Sequence, residues 1–163
     1  MKLLTPLSEL TTKELRDLCK FGVEYCEVVL GKPKRKIPLT YSVRTDRRSN
    51  PNVTYMGEYD PAENKILLYK NNIKNIRGFL EVFIHEYTHS LQPIEKKYNK
   101  LLDKFGYNDH PYEIEANENG KKHYRKLWDL YKSKTNQSVF NLGGCFNSSF
   151  IPKIKWDMLI KLL

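Results

Sequence analysis

A chain of 163 residues, 40% of them hydrophobic, is long enough for one ordinary core, so we expect a single globular domain over residues 1–163. No apolar run approaches the roughly 20 residues of a membrane helix, which excludes a membrane-spanning protein. The first residues lack the apolar segment of a secretion signal, and this indicates a cytoplasmic protein.

The net charge of +9 has two interpretations. It would attract nucleic acid, an anionic surface or acidic substrates, or it would merely keep the protein soluble. The basic residues are spread along the chain with one dense run at residues 32–36, which favours the second interpretation. The cysteines, Cys19, Cys26 and Cys145, form no C-x-x-C pair, so we expect neither a structural disulfide nor a cysteine metal site.

The first half of the chain predicts one amphipathic helix followed by strands. Thr11 and Glu14 have the spacing of a capping box, and apolar residues then recur at helical intervals until Gly31. Three short strands are predicted, at residues 39–43, 53–56 and 66–69. Residues 60–64, Asp-Pro-Ala-Glu-Asn, are typical of the turn of a hairpin between the last two strands.

The second half of the chain predicts mainly helix. One helix is expected over residues 75–92, where Pro93 ends it, and another over 111–131. Residues 133–152 are rich in Ser, Asn and Gly and predict an irregular stretch before a last short helix over 154–163. These elements together predict a small α+β domain with a short antiparallel or mixed sheet packed on the helices.

The helix predicted at 75–92 carries a metal-binding pattern, His-Glu-x-x-His. His85 and His89 are four residues apart, so on a helix they lie one turn apart and can bind one zinc ion. Glu86 would lie beside the metal as a general base. The apolar residues fall on the opposite side of the helical wheel: Ile73, Ile76, Leu80, Phe83, Ile84, Tyr87 and Leu91. The alternative is two histidines on an exposed polar face.

A catalytic zinc ion keeps three protein ligands and an open position for water, so a third ligand is needed downstream. The candidates are His110, Glu113, Glu115, Glu118 and His123. The helical wheel turns Glu113 and Asn117 to the apolar side of the third helix, and Glu115 and Glu118 to solvent. A buried carboxylate needs a cation, so we choose Glu113, with Asn117 hydrogen-bonded to a ligating histidine. The alternative for Glu113 is a helix-start residue favoured by the dipole.

Two segments carry a family resemblance. The His85 to His89 pattern followed by residues 113–117, Glu-Ile-Glu-Ala-Asn, resembles the gluzincin clan of metallopeptidases. The second segment is similar to the E-x-E-A-N element of ImmA/IrrE-type and phage-borne peptidases. The resemblance covers about residues 66–131. Gluzincins often have Asp four residues after the ligand Glu, where this chain has Asn117.

The resemblance implies a zincin-like fold and a zinc site made of His85, His89 and Glu113, with Glu86 as general base. It also implies an edge strand that aligns the substrate, and we expect the strand at residues 66–69 to bind an extended peptide by strand addition. The predicted function is therefore hydrolysis of a peptide or protein by a zinc-activated water.

Other parts of the prediction stay open. The side chain that stabilises the oxyanion could be any of four: Tyr112, Tyr107, His110 or His123. The main alternative function is a zinc-containing binding module without turnover, which would contact nucleic acid through its basic surface. A third reading is a helical scaffold with an accidental motif, which predicts no bound metal.

Overall fold

The computed structural model describes residues 2–45, 49–50 and 53–141. Its helices and strands follow in this order: α1 (Thr12–Val29), β1 (Thr40–Arg44), β2 (Ser49–Asn50), β3 (Val53–Thr54), β4 (Gly57–Asp60), β5 (Lys65–Tyr69), α2 (Ile76–Leu91), α3 (Ile94–Phe105) and α4 (Pro111–Asn141). Backbone contacts divide the chain into two compact units, Met1–Lys132 and Ser133–Leu163. The first unit contains every described strand, the helices α1, α2 and α3, and α4 as far as Lys132; the described part of the second unit is the end of α4.

The main sheet has three strands in the order β1-β5-β4. β1 is parallel to β5, and β4 is antiparallel to it. The predicted α+β class with a short mixed sheet is therefore confirmed. β2 and β3 form a separate two-stranded antiparallel ladder.

The predicted hairpin turn is present, but its first strand was misplaced. The Asp60 carboxylate accepts a hydrogen bond of 2.8 Å from the Ala62 N–H, and the strand that pairs with β5 is β4, Gly57–Asp60. Residues 53–56 look more strand-like because they lack glycine. A hairpin pairs outward from its turn, however, and this brings Gly57 opposite Leu68.

The position of β5 corrects a second expectation. β5 is the central strand, with β1 on one side and β4 on the other, so both of its edges are already hydrogen-bonded. It cannot receive a peptide by strand addition. Among the described strands, the edge strand of this sheet next to α2 is β4.

Helices α1 and α2 form as predicted. The Thr11 hydroxyl accepts from the Glu14 N–H at 3.2 Å, and the Glu14 carboxylate accepts from the Thr11 N–H at 2.8 Å, so the capping box is complete. α2 begins after Asn75, whose side chain accepts from the Gly78 N–H at 3.0 Å. The predicted apolar stripe of α2 is buried, apart from a partly exposed Leu91 at its end. It packs on β5 and on the buried side of α1.

The sequence prediction missed α3. Pro93 indicates the end of α2, but the chain begins another helix at once, with Pro93 itself at the N-cap of α3. The described side chains of α3 are half-buried or exposed, and none is fully buried. A helix with so little buried surface has a weak hydrophobic signal.

Helix α4 is longer than predicted, because it continues past residue 131 to Asn141 and includes part of the stretch expected to be irregular. The helix expected at residues 154–163 lies outside the described residues. Cys19 and Cys26 are buried free thiols, and burial raises the pKa of both. None of the helices in the described part of the chain combines the length and apolar composition needed to cross a bilayer.

We predict that Gly120→Ala lowers the free energy of unfolding by about 1–2 kcal/mol. A Cβ at residue 120 would lie 2.8 Å from the backbone oxygen of Glu81 on α2. Overpacking of this kind costs about 1–3 kcal/mol, which exceeds the helix-propensity gain of up to about 1 kcal/mol. Urea denaturation measures the change. Lys121→Ala, at the neighbouring exposed position, is the control and should change stability by less than about 0.5 kcal/mol. An alanine variant at residue 120 as stable as the wild type would contradict this packing.

Candidate metal centre

Two helices supply the predicted metal ligands. His85 and His89 lie one turn apart on α2, on the side away from its apolar stripe. Glu113 lies in the first turn of α4, which approaches α2 closely because Ala116 and Gly120 are buried small residues. The shared buried side of Glu113, Ala116 and Gly120 is the one that helical periodicity predicted.

The three side chains converge on one point. The Nε2 atoms of His85 and His89 are 3.0 Å apart, and they lie 3.3 Å from Glu113 Oε2 and 3.5 Å from Glu113 Oε1, respectively. All of the ligand atoms lie within 4.8 Å of one another. His89 and Glu113 are almost fully buried, with 6% and 5% of their surface exposed. This group could hold a metal ion.

Hydrogen bonds on the far side of each imidazole indicate which nitrogen carries the proton. His85 Nδ1 is 3.1 Å from Asn117 Oδ1, and His89 Nδ1 is 2.7 Å from Gln92 Oε1. An amide oxygen can only accept, so both Nδ1 atoms are donors and the neutral rings have unprotonated Nε2 atoms. Two unprotonated nitrogens 3.0 Å apart repel each other. A shared proton or a metal ion removes that repulsion.

Asn117 was expected to bond a ligating histidine, and it does so with His85. It was also expected to point along the buried side of α4, and this is wrong, because Asn117 is exposed. The amide lies at the rim of the site, where one end reaches the imidazole and the residue as a whole faces solvent.

Two buried carboxylates lie at the site in different environments. Burial raises the pKa of Glu113, but the Tyr98 hydroxyl and the imidazoles of His85 and His89, which donate to Glu113 when they carry a second proton on Nε2, outweigh this and hold the pKa well below its usual range. Burial also raises the pKa of Glu86, to about 7, although the charges of His85 and His89 oppose the shift. Glu113 is therefore kept ionised, and Glu86 titrates near neutrality.

Glu86 faces β4 across a very short distance. A Cβ at residue 57 would lie 3.1 Å from Glu86 Oε1 and 2.6 Å from Val82 Cγ1, so only glycine leaves room for the carboxylate at this point. His85 and Glu86 line two cavities, of about 550 and 230 Å³. The larger lies between β4, α2 and α4, and the smaller extends over His89 and Glu113. Glu86 thus borders open space beside the three residues that could hold a metal ion.

Helix α3 brings a tyrosine to the site that sequence reasoning missed. The Tyr98 hydroxyl donates a 2.9 Å hydrogen bond to Glu113 Oε1. Burial and Glu113 both raise the pKa of Tyr98, which keeps it a donor at neutral pH. No signal in the sequence could have selected this residue, because the helix that carries it was itself not predicted.

Of the four residues considered for the oxyanion, Tyr107 reaches the site. It lines both cavities, and burial together with Glu113 raises its pKa to about 12. His110 is fully buried with both ring nitrogens hydrogen-bonded to backbone, and His123 Nδ1 lies 3.1 Å from the Tyr25 hydroxyl. Tyr112 lines neither cavity.

Glu115 and Glu118 are exposed, as predicted. Glu115 nevertheless has a defined partner, because its Oε2 accepts a 2.8 Å hydrogen bond from Gln92 Nε2. Gln92 follows the metal-binding pattern by three residues and was not singled out from the sequence. The sequence signal for it is its spacing of three residues from His89, which places the two side chains next to each other on a helix.

Some of the basic side chains in the loop at residues 32–36 form contacts within the protein. Lys32 forms an ion pair of 3.1 Å with Glu27. The Arg35 guanidinium donates to the Pro61 carbonyl at 3.1 Å and lies 5.6 Å from the centre of the Tyr59 ring. At least two of its basic side chains therefore have partners other than an external anion.

No protein-family model, curated protein or solved structure matches this chain. The described residues define a small α+β domain with a group of two histidines and one glutamate at the junction of two helices. That group could hold a metal ion, and a second carboxylate, that of Glu86, lies beside it at the edge of a cleft.

We predict that Glu113→Ala lowers the affinity for a divalent metal sharply, because it removes one ligand and leaves the two imidazoles with no anion. Glu118→Ala removes the same charge from an exposed position on the same helix and should leave the affinity unchanged. Competition with a chromophoric chelator, using Co²⁺ or Zn²⁺, measures both. Equal affinities in the two variants would rule out Glu113 as a ligand.

Proposed function

We propose that this protein is a zinc-dependent metallopeptidase, with His85, His89 and Glu113 as zinc ligands and Glu86 as the general base. The observation that carries the proposal is the convergence of these ligands from two helices with a buried carboxylate beside them in an open cleft. Membership of the gluzincin clan, which the sequence resembles, is part of the same proposal.

The donor set supports zinc as the metal. Two histidines and one glutamate form a ligand set of catalytic zinc sites that leave a position open. Ligand atoms about 2.0–2.2 Å from a tetrahedral ion are about 3.3–3.6 Å apart, and the distances between donor atoms here are 3.0, 3.3 and 3.5 Å. Small adjustments of the imidazoles would complete the geometry.

Glu86 would move protons in the reaction. Bound zinc would supply a Lewis acid that polarises the scissile carbonyl and lowers the pKa of a coordinated water. The Glu86 carboxylate would accept a proton from the attacking water and give it to the leaving amine. Burial raises the pKa of this carboxyl, which makes it a stronger base than an exposed glutamate.

The substrate would be an extended peptide lying beside β4. β4 is an edge strand among the described strands, and Gly57, Glu58 and Tyr59 line the smaller cavity together with His85 and Glu86. Backbone hydrogen bonds along this edge would hold the peptide without requiring a particular sequence. The larger cavity, which Val82 and Met56 line, would receive one side chain next to the scissile bond.

Binding of nucleic acid by a non-catalytic zinc module is the second candidate, and the observation that favours it is the exposure of Lys34 and Lys36 in the basic loop. This second candidate does not explain the Glu86 carboxylate, because a structural zinc site does not require a buried base. A salt-dependent mobility shift with DNA or RNA, without any peptide cleavage, would favour this candidate.

We predict that Glu86→Gln retains about one zinc per chain and the wild-type fold. Its rate of peptide hydrolysis should be lower than that of the wild type by a factor of roughly 10²–10⁴. The amide fills the same space and cannot accept a proton. Elemental analysis, circular dichroism and cleavage of a peptide library measure the three quantities. A residual rate within tenfold of the wild type would exclude Glu86 as the base, and a wild type without zinc or cleavage would refute the proposed function.

A second prediction concerns the oxyanion. Tyr107→Phe should lower kcat on the order of 10²-fold with zinc content unchanged, because it removes one hydrogen-bond donor from the cleft. Tyr112→Phe is the matched control, since Tyr112 lines neither cavity, and should leave kcat as in the wild type. Steady-state kinetics on one library-derived peptide compares them. Equal kcat values for Tyr107→Phe and the wild type would assign the oxyanion to another group.

A further inference from the structure

Gln92, at the end of α2, connects a metal ligand to the start of α4. Only 6% of its surface is exposed. Its Oε1 lies 2.7 Å from His89 Nδ1, and its Nε2 lies 3.1 Å from the Tyr112 carbonyl oxygen and 2.8 Å from Glu115 Oε2. One buried amide therefore has three partners, two of which lie near the start of α4.

These partners leave the amide only one orientation. A carbonyl oxygen and a carboxylate can only accept hydrogen bonds, so the NH₂ group of Gln92 must face Tyr112 and Glu115. The amide oxygen must then face His89, and because it too can only accept, His89 Nδ1 must be the donor. The hydrogen bonds thus run in one direction, from the imidazole to the amide and from the amide to the carboxylate, and His89 Nε2 is left with its lone pair toward Glu113.

We propose that Gln92 and Glu115 form a positioning relay that fixes the tautomer of His89 and thereby sets the affinity of the metal site. The proposal rests on the metal centre of the proposed function and adds two residues that do not touch the metal or the substrate. The negative charge of Glu115 polarises the Gln92 amide and strengthens its acceptance of the imidazole N–H. The same amide holds the first turn of α4, and with it Glu113, against the end of α2.

The relay matters more for His89 than the corresponding hydrogen bond does for His85. The partner of His85 is Asn117, which is exposed, so water can replace its amide. Gln92 is buried, so when its side chain is removed water reaches His89 Nδ1 less easily than it reaches His85 Nδ1. A polar group that orients a metal ligand typically contributes about 10–100-fold to metal affinity, and we assign the upper part of this range to Gln92.

The tautomer can be measured without metal. In metal-free protein labelled with ¹⁵N on histidine, long-range ¹H–¹⁵N spectra recorded where the imidazole is neutral should show His89 protonated at Nδ1. In Gln92→Ala the Nδ1 form should lose its dominance, while His85 should keep its pattern. An unchanged His89 pattern in Gln92→Ala would overturn the relay, whether or not the protein binds zinc.

Zinc affinity provides the second readout, by competition with a chromophoric chelator. Gln92→Ala should weaken zinc binding by a factor in the upper part of the range of about 10–100-fold, and Glu115→Ala by a smaller factor. Glu118→Ala removes an equal charge from an exposed position on α4 and should have no effect. Equal affinities for Glu115→Ala and Glu118→Ala would overturn the part assigned to Glu115. Absence of zinc binding by the wild type would instead refute the proposed function, and the tautomer would still test the relay.

An exchange of the two side chains keeps the test valid if Gln92→Ala does not fold. Gln92→Glu alone sets a carboxylate against Glu115 and the Tyr112 carbonyl, so it should weaken zinc binding. Gln92→Glu combined with Glu115→Gln restores the donor and acceptor between these two side chains, although not toward the Tyr112 carbonyl, and should recover part of the affinity. A double variant no better than Gln92→Glu would show that the two residues are not coupled, and this would overturn the relay.

Discussion

The close approach of α4 to α2 is the constraint on which the site depends. Gly120 lies so near the backbone of Glu81 that a Cβ would be only 2.8 Å from its carbonyl oxygen. At this separation the first turn of α4 brings Glu113 to the two imidazoles of α2, and its second turn brings Asn117 to His85. A larger side chain at residue 120 would separate the helices and move a carboxylate that must lie within a few ångströms of two nitrogens.

The two buried carboxylates of the site, Glu113 and Glu86, have pKa values shifted in opposite directions. Glu113 is surrounded by two imidazoles and the Tyr98 hydroxyl, whose hydrogen bonds favour the ionised form. Glu86 lies against Gly57, with burial and the nearby charge of Glu113 opposing its ionisation. One environment stabilises the ionised form of Glu113, and the other raises the pKa of Glu86 and so favours its protonated form.

The walls of the cleft come from the less regular parts of the chain. β4 contains a glycine, α3 has no fully buried described residue, and Tyr107 lies in the turn that follows α3. Each of these segments has a weak local signal of secondary structure. They are held by contacts with α2 and Glu113, and their positions depend on how the helices pack.

Helical periodicity by itself determined the core of this site. The four-residue spacing of His85 and His89 and the buried side of α4 at Glu113 follow from 3.6 residues per turn, and so does the burial of the stripe on α2. The tertiary structure alone decided which strand is the edge, and it alone brought Tyr98 to Glu113. Sequence spacing reports which residues share a face of one helix. It does not report which faces of different elements meet, because that depends on close packing between residues far apart in the chain, such as Gly120 and Glu81.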